Sequence, residues 1–134
     1  MTGLVLKLTP RERILVNGAV LENGDRRSKL SILTPNANIL RLKDAVRPED
    51  AKTPVRRVCY IAQLVLSGDV EEEEASQQLN VGIGQLSQVF NDTESLHSLS
   101  NAKTALVDGD FYRVLKNIRS LLVREDQLMA AATQ

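Results

Sequence analysis

Two Asn-Gly dipeptides stand six residues apart near the N-terminus, at Asn17-Gly18 and Asn23-Gly24. Both residues of such a pair accept positive φ, so each marks a hairpin turn. Turns this close leave room only for short strands. Before them, Leu4, Leu6 and Leu8 alternate with Val5 and Lys7, the period-two pattern of a half-buried strand. Further short runs lie at 13–16, 19–21, 28–33 and 39–42, with Pro35-Asn36 as another turn. The pattern predicts a tight meander of about five short antiparallel strands, forming a small barrel or sandwich.

The remainder changes period. Thr53-Pro54 supplies a capping hydroxyl and then a proline at the first helical position, where its missing N–H costs nothing. Val55, Val58, Ala62 and Val65 follow at helical spacing, with Ile61, Leu64 and Leu66 on the other sides, as in a buried helix. Ala75, Leu79, Ile83, Leu86 and Phe90 form a second stripe, whose middle Gly82 and Gly84 weaken by about 1 kcal/mol each, enough to allow a break there. Asn91 and Glu94 resemble a capping box before Leu96, Leu99 and Leu106. After the Asp108-Gly109-Asp110 turn, Phe111, Val114, Leu115, Ile118, Leu121, Leu122 and Leu128 trace one amphipathic helix. The expected class is α+β: a β domain over 1–52, then a bundle of three or four helices over 53–134, with the polar stretch 44–52 as connector.

Charge follows the same division. Residues 1–57 hold twelve Lys/Arg against six Asp/Glu; residues 58–134 hold five against eleven. A net +6 therefore faces a net −6 within a chain of zero formal charge. Such asymmetry points to a polyanion partner for the basic half, nucleic acid first. The cations gather at Arg11 and Arg13, and again at Arg26, Arg27 and Lys29. In a strand, Arg27 and Lys29 share the face opposite Leu30 and Ile32. The alternative is edge protection, since basic side chains on short exposed strands block aggregation. Residues 1–57 contain no aromatic, so a β surface that stacks bases on its own rings is excluded. Arginine forks and backbone amides would hold phosphates and splayed bases instead.

Catalytic and metal chemistry has little support. His97 is the single histidine, on a predicted helix, and Cys59 lies within the apolar helix, where a structural thiol is expected. One cysteine permits no intramolecular disulfide. Glu71, Glu72, Glu73 and Glu74 point in four directions from a helix and read as its solvated first turn. No enzyme, cofactor or metal is expected. No apolar run suits a membrane span, and no signal-peptide pattern opens the chain, so a soluble cytoplasmic protein with no membrane partner is the expectation. Phe111, Tyr112 and Leu115 offer an aromatic-centred surface for a protein partner, or simply pack the bundle. Short strands with exposed edges make a homodimer plausible.

The stretch from Glu12 to Arg27, Glu-Arg-Ile-Leu-Val-Asn-Gly-Ala-Val-Leu-Glu-Asn-Gly-Asp-Arg-Arg, closely resembles the FlbT family of alphaproteobacterial flagellin regulators. The resemblance continues at Ile39-Leu40-Arg41, at Ala51-Lys52-Thr53-Pro54-Val55-Arg56-Arg57 and at Gly109-Asp110-Phe111-Tyr112. It implies a post-transcriptional regulator acting on the 5′ untranslated leader of flagellin mRNA, limiting translation and promoting decay. The opposite sign, support of flagellin production, is the alternative within the family. The implied partners are the flagellin mRNA leader, a FlaF-type helical protein, and flagellin itself. Leu8-Thr9-Pro10-Arg11 is also similar to the Leu-Thr-x-Arg start of the mRNA-binding CsrA proteins. An adaptor or chaperone in flagellar assembly, without direct RNA contact, is the competing expectation.

Overall fold

The structure is a computed structural model and describes residues 4–132. Five short strands come first: β1 (Leu4–Leu8), β2 (Arg13–Val16), β3 (Ala19–Glu22), β4 (Ser28–Ile32) and β5 (Ile39–Arg41). Five helices follow: α1 (Pro54–Leu66), α2 (Glu72–Val89), α3 (Thr93–Val107), α4 (Phe111–Arg119) and α5 (Leu122–Ala132). The α+β class is as expected.

The strands do not form a simple meander or a closed barrel. β1 pairs with β4, and a separate sheet runs β3-β2-β5, all antiparallel. The two Asn-Gly pairs explain the difference. Asn17 and Gly18 have φ of 47° and 86°, a left-handed pair that closes the β2–β3 hairpin. The second pair makes no such turn. Asn23 instead spends its amide on the backbone: Nδ2 donates to the Thr9 carbonyl at 2.7 Å and the Arg26 carbonyl at 2.9 Å. The chain then crosses to lie beside β1.

Period-two alternation builds three layers. Ile14, Val16 and Ile39 pack toward Leu6, Leu8, Leu30 and Ile32 of the two-stranded sheet. Leu15 and Leu40, one residue out of phase, pack into the helical core. The middle sheet thus has apolar side chains on both faces. Stretch 44–52 is no loose tether: Gln63 holds Val46 at both ends, accepting from its N–H at 2.7 Å and donating to its carbonyl at 2.9 Å.

The helices depart from expectation at three points. α2 runs unbroken through Gly82 and Gly84, because Gly82 lies where a Cβ would come within 2.9 Å of Val58 Cγ2 on α1. The cap of α3 is Asp92, whose carboxylate accepts from Ser95 N–H at 3.0 Å, with Asn91 outside. The last amphipathic stretch is two helices. Ser120 Oγ donates to the Asn117 carbonyl at 2.6 Å at the bend, satisfying an end-of-helix acceptor. That bend brings Glu125 of α5 to the start of α1, where Oε2 accepts from Val55 N–H at 2.8 Å and Oε1 bonds Thr53 Oγ1. Arg56 completes the joint at 3.2 Å.

Candidate nucleic-acid interface

The basic surface is organised by one asparagine. Besides its two donations, Asn23 accepts from Ser28 Oγ at 2.7 Å, and its N–H donates to the Glu12 carbonyl at 2.8 Å. Arg11 N–H reaches back to the Gly24 carbonyl at 2.9 Å. The loop carrying Asp25, Arg26 and Arg27 is therefore clasped to the turn after β1, with its side chains exposed.

The five candidate cations divide into two groups. Arg11 pairs with Asp25 at 2.6 Å and Glu22 at 3.6 Å, and Arg13 with Glu22 at 2.9 Å. The Arg13 guanidinium holds the Glu22 carboxyl below its usual range. These two arginines are already neutralised. Arg26, Arg27 and Lys29 have no carboxylate partner among the described residues. Lys29 faces outward, opposite Leu30 and Ile32, as the alternation requires.

Strand register adds a residue that sequence reasoning missed. Lys7 of β1 lies directly opposite Lys29 of β4, on the solvent side of the sheet. Like charges in this relation repel by a few tenths of a kcal/mol or more. A polyanion lying over both would reverse that sign. Its only sequence signal was the alternation itself; the pairing of β1 with β4 was not legible.

Beneath this face lies a structural ion pair. The Glu12 side chain is 2% exposed and accepts from Arg41 Nε at 2.6 Å, Arg41 Nη2 at 2.7 Å and Thr9 N–H at 3.1 Å. The Arg41 fork holds the Glu12 carboxyl down to about 2, against the cost of its burial. Arg41 also donates to the Lys7 carbonyl at 2.6 Å, and Lys43 stands 3.7 Å from Glu12. The pair thus ties β1, its turn and β5 together under the exposed lysines.

The helical candidates fall elsewhere. Phe111 and Leu115 are 3% and 5% exposed and belong to the helical core, which leaves little of them for a partner to touch. Tyr112 is half-buried and packs against both the helical core and the β core. It brings to the sheet the ring that residues 1–57 lack. Burial pushes the Cys59 thiol up to about 12, so it is no thiolate nucleophile at neutral pH. His97 is exposed. No group of three His, Cys, Asp or Glu among the described residues could hold a metal, and no described helix is long and apolar enough to cross a membrane.

The family model described as "Flagellar protein FlbT" matches residues 4–129. The chain belongs to the FlbT family. A relative in Brucella abortus (strain S19), named "Probable flagellum biosynthesis repressor protein FlbT", is 33% identical over 130 residues, covering 97% of this chain and 84% of that protein. "Probable flagellum biosynthesis repressor protein FlbT 1" of Bradyrhizobium diazoefficiens is 31% identical over 126 residues, covering 94% of this chain and 84% of its own. No solved structure matches. The FlbT match spans all five strands and most of α5.

Proposed function

We propose that this FlbT-family protein represses flagellum biosynthesis by binding the 5′ untranslated leader of flagellin mRNA, limiting its translation and promoting its decay in the cytoplasm. The observation that carries this reading is the separation of paired from unpaired cations. Arg11 and Arg13 are neutralised, whereas Lys7, Arg26, Arg27 and Lys29 are exposed, without carboxylate partners among the described residues, around a clasped loop and one sheet face. Fixed cations of this kind contact phosphates, and each displaced counterion adds about −0.7 to the log–log salt slope on single-stranded RNA. Binding of a leader RNA should therefore weaken steeply with salt. Arg26→Glu with Arg27→Glu should abolish it while circular dichroism stays native. A double variant that binds like the wild type overturns the assignment.

A second reading is favoured by a different observation. An open groove of ≈ 580 Å³ runs between α1 and α2, lined in part by Ile61, Val81 and Val89. Val81 and Val89, about two turns apart on α2, are 59% and 58% exposed and line the same groove. An adaptor would seat an amphipathic helix of a FlaF-type protein there. Co-purification of FlaF that survives nuclease and is lost in Val81→Asp supports this reading; loss on nuclease treatment rejects it.

A further inference from the structure

We propose that the cleft between β5 and α4 is a nucleotide subsite, in which a base of the bound RNA stacks on the Tyr112 ring while Lys116 holds an adjoining phosphate. This rests on the RNA-binding reading above and extends its surface across the junction of sheet and helices.

The cleft has a volume of ≈ 160 Å³ and is lined by Leu40, Arg41, Asp44, Tyr112, Lys116 and Arg119, among others. It is well below the roughly 300–1,000 Å³ of drug-sized ligand pockets, and so fits a single planar ring with its phosphate rather than a larger metabolite. Two of its three cations are already paired with carboxylates. Arg41 is engaged by Glu12, and Arg119 Nη2 stands 3.3 Å from Asp44. Lys116 is exposed and has no ion-pair partner among the described residues.

One side chain marks the cleft as more than a packing gap. The Tyr112 ring is held between the two apolar cores while remaining partly exposed, so it presents a fixed face instead of a mobile one. Fixed aromatic faces are what sequence-tolerant base stacking uses.

Charge decides which side of Tyr112 a polyanion takes. The hollow on its other side is lined by Asp108 and Asp110 together with Arg113, and its carboxylates disfavour phosphate. The β5 side carries the exposed, unpaired Lys116, and hydrogen bonds tie its Arg41 to β1 and to the turn that clasps the loop. Arg41 Nη2 donates to the Lys7 carbonyl at 2.6 Å and grips Glu12, whose backbone receives Asn23. A single strand leaving Arg26 and Arg27 thus passes Lys7 and Arg41 to reach Tyr112 and Lys116.

The test is an anisotropy titration of a fluorescent single-stranded leader RNA at several salt concentrations. Lys116→Glu should weaken binding roughly tenfold, and Lys116→Ala should lower the magnitude of the salt slope by about 0.7, the value of one phosphate contact. Tyr112→Leu, which keeps apolar packing, should weaken binding roughly tenfold, as loss of one stacked base does, while Tyr112→Phe binds normally. Lys103→Glu, on α3 and outside the cleft lining, should bind as the wild type does. Should Tyr112→Leu fail to fold, the exposed Lys116 variants still decide the matter. Lys116 variants that bind normally while Arg26→Glu/Arg27→Glu does not would remove the subsite and leave the RNA reading standing. A Lys103→Glu loss equal to that of Lys116→Glu would reduce the effect to net charge and overturn the subsite. A wild-type chain that binds no RNA would remove both.

Discussion

At the scale of single residues, Glu12 is one of two buried carboxylates among the described residues, with Glu125 the other. The Glu12 carboxyl lies at about 2 in the folded protein against 4.5 ordinarily, because Arg41, Thr9 and Lys43 favour the ionised form. A folded value below the unfolded one stabilises the protein above the unfolded value, and that stability is lost as pH falls from about 4.5 through about 2. The contribution at neutral pH is about 3 kcal/mol. Glu12→Gln should therefore cost about 2–3 kcal/mol in urea denaturation at pH 7, with Arg41 left short of its counter-charge. The gap between variant and wild type should close as pH approaches 2–3; a gap independent of pH would mean that the ion pair is not its source. Cys59 gives a second residue-scale prediction. Its thiol is protonated and fully buried, so a disulfide reagent should label it only at the rate at which the chain opens, with full labelling in denaturant. Rapid labelling of native protein would contradict its placement. The site was partly legible at this scale. Arg26, Arg27 and Lys29 were visible as clustered cations, but nothing in the sequence told them apart from Arg11 and Arg13. That distinction depends on Glu22 and Asp25, whose positions relative to the arginines are set by strand pairing.

Elements were read most faithfully where a local rule governs. The alternation in β1, the Asn17-Gly18 turn and the Thr53-Pro54 helix start act over a few residues, and all appear as expected. The failures are at positions where a distant partner decides. Asn23 turns its amide onto Thr9, Ser120 frees Glu125 to cap α1, and Gly82 answers to Val58. Gly82 shows the competition in numbers. In isolation, alanine in a helix interior is better than glycine by about 1 kcal/mol. Here the added methyl would meet Val58 Cγ2 at 2.9 Å, and a β-branched side chain has few rotamers into which it can retreat. Gly82→Ala should therefore destabilise by about 1–2 kcal/mol, as overpacking does. The double variant with Val58→Ala should recover part of that loss, a coupling of at least about 0.5 kcal/mol between residues in contact. Additive losses in thermal melts would mean that helix α1 shifts as a body and that Val58 is not the obstacle.

The whole molecule raises the question of whether its two halves are separable, as the polar stretch 44–52 suggested. The buried β core proper consists of Leu6, Leu8, Ile14, Ala37 and Ile39. Chains of about 60 residues are already marginal, and a sheet pair this small has little apolar surface to bury. Leu15 and Leu40 take their partners from the helices, while Tyr112 closes the β core from outside. Removing residues 53–134 would expose one face of the middle sheet and withdraw that ring. The isolated fragment 1–52 should therefore show no cooperative melting transition and no native strand signal. In the full chain, helix content followed by circular dichroism and Tyr112 emission, read in a Tyr60→Phe background, should fall together at one midpoint. Tyr112 reports from the boundary itself, so two separated midpoints, with the tyrosine signal following only one, would show the halves to be independent. Coincidence has a functional meaning as well: the RNA track proposed here crosses that boundary between Arg41 and Lys116, and it keeps its geometry only if sheet and helices fold and unfold as one body.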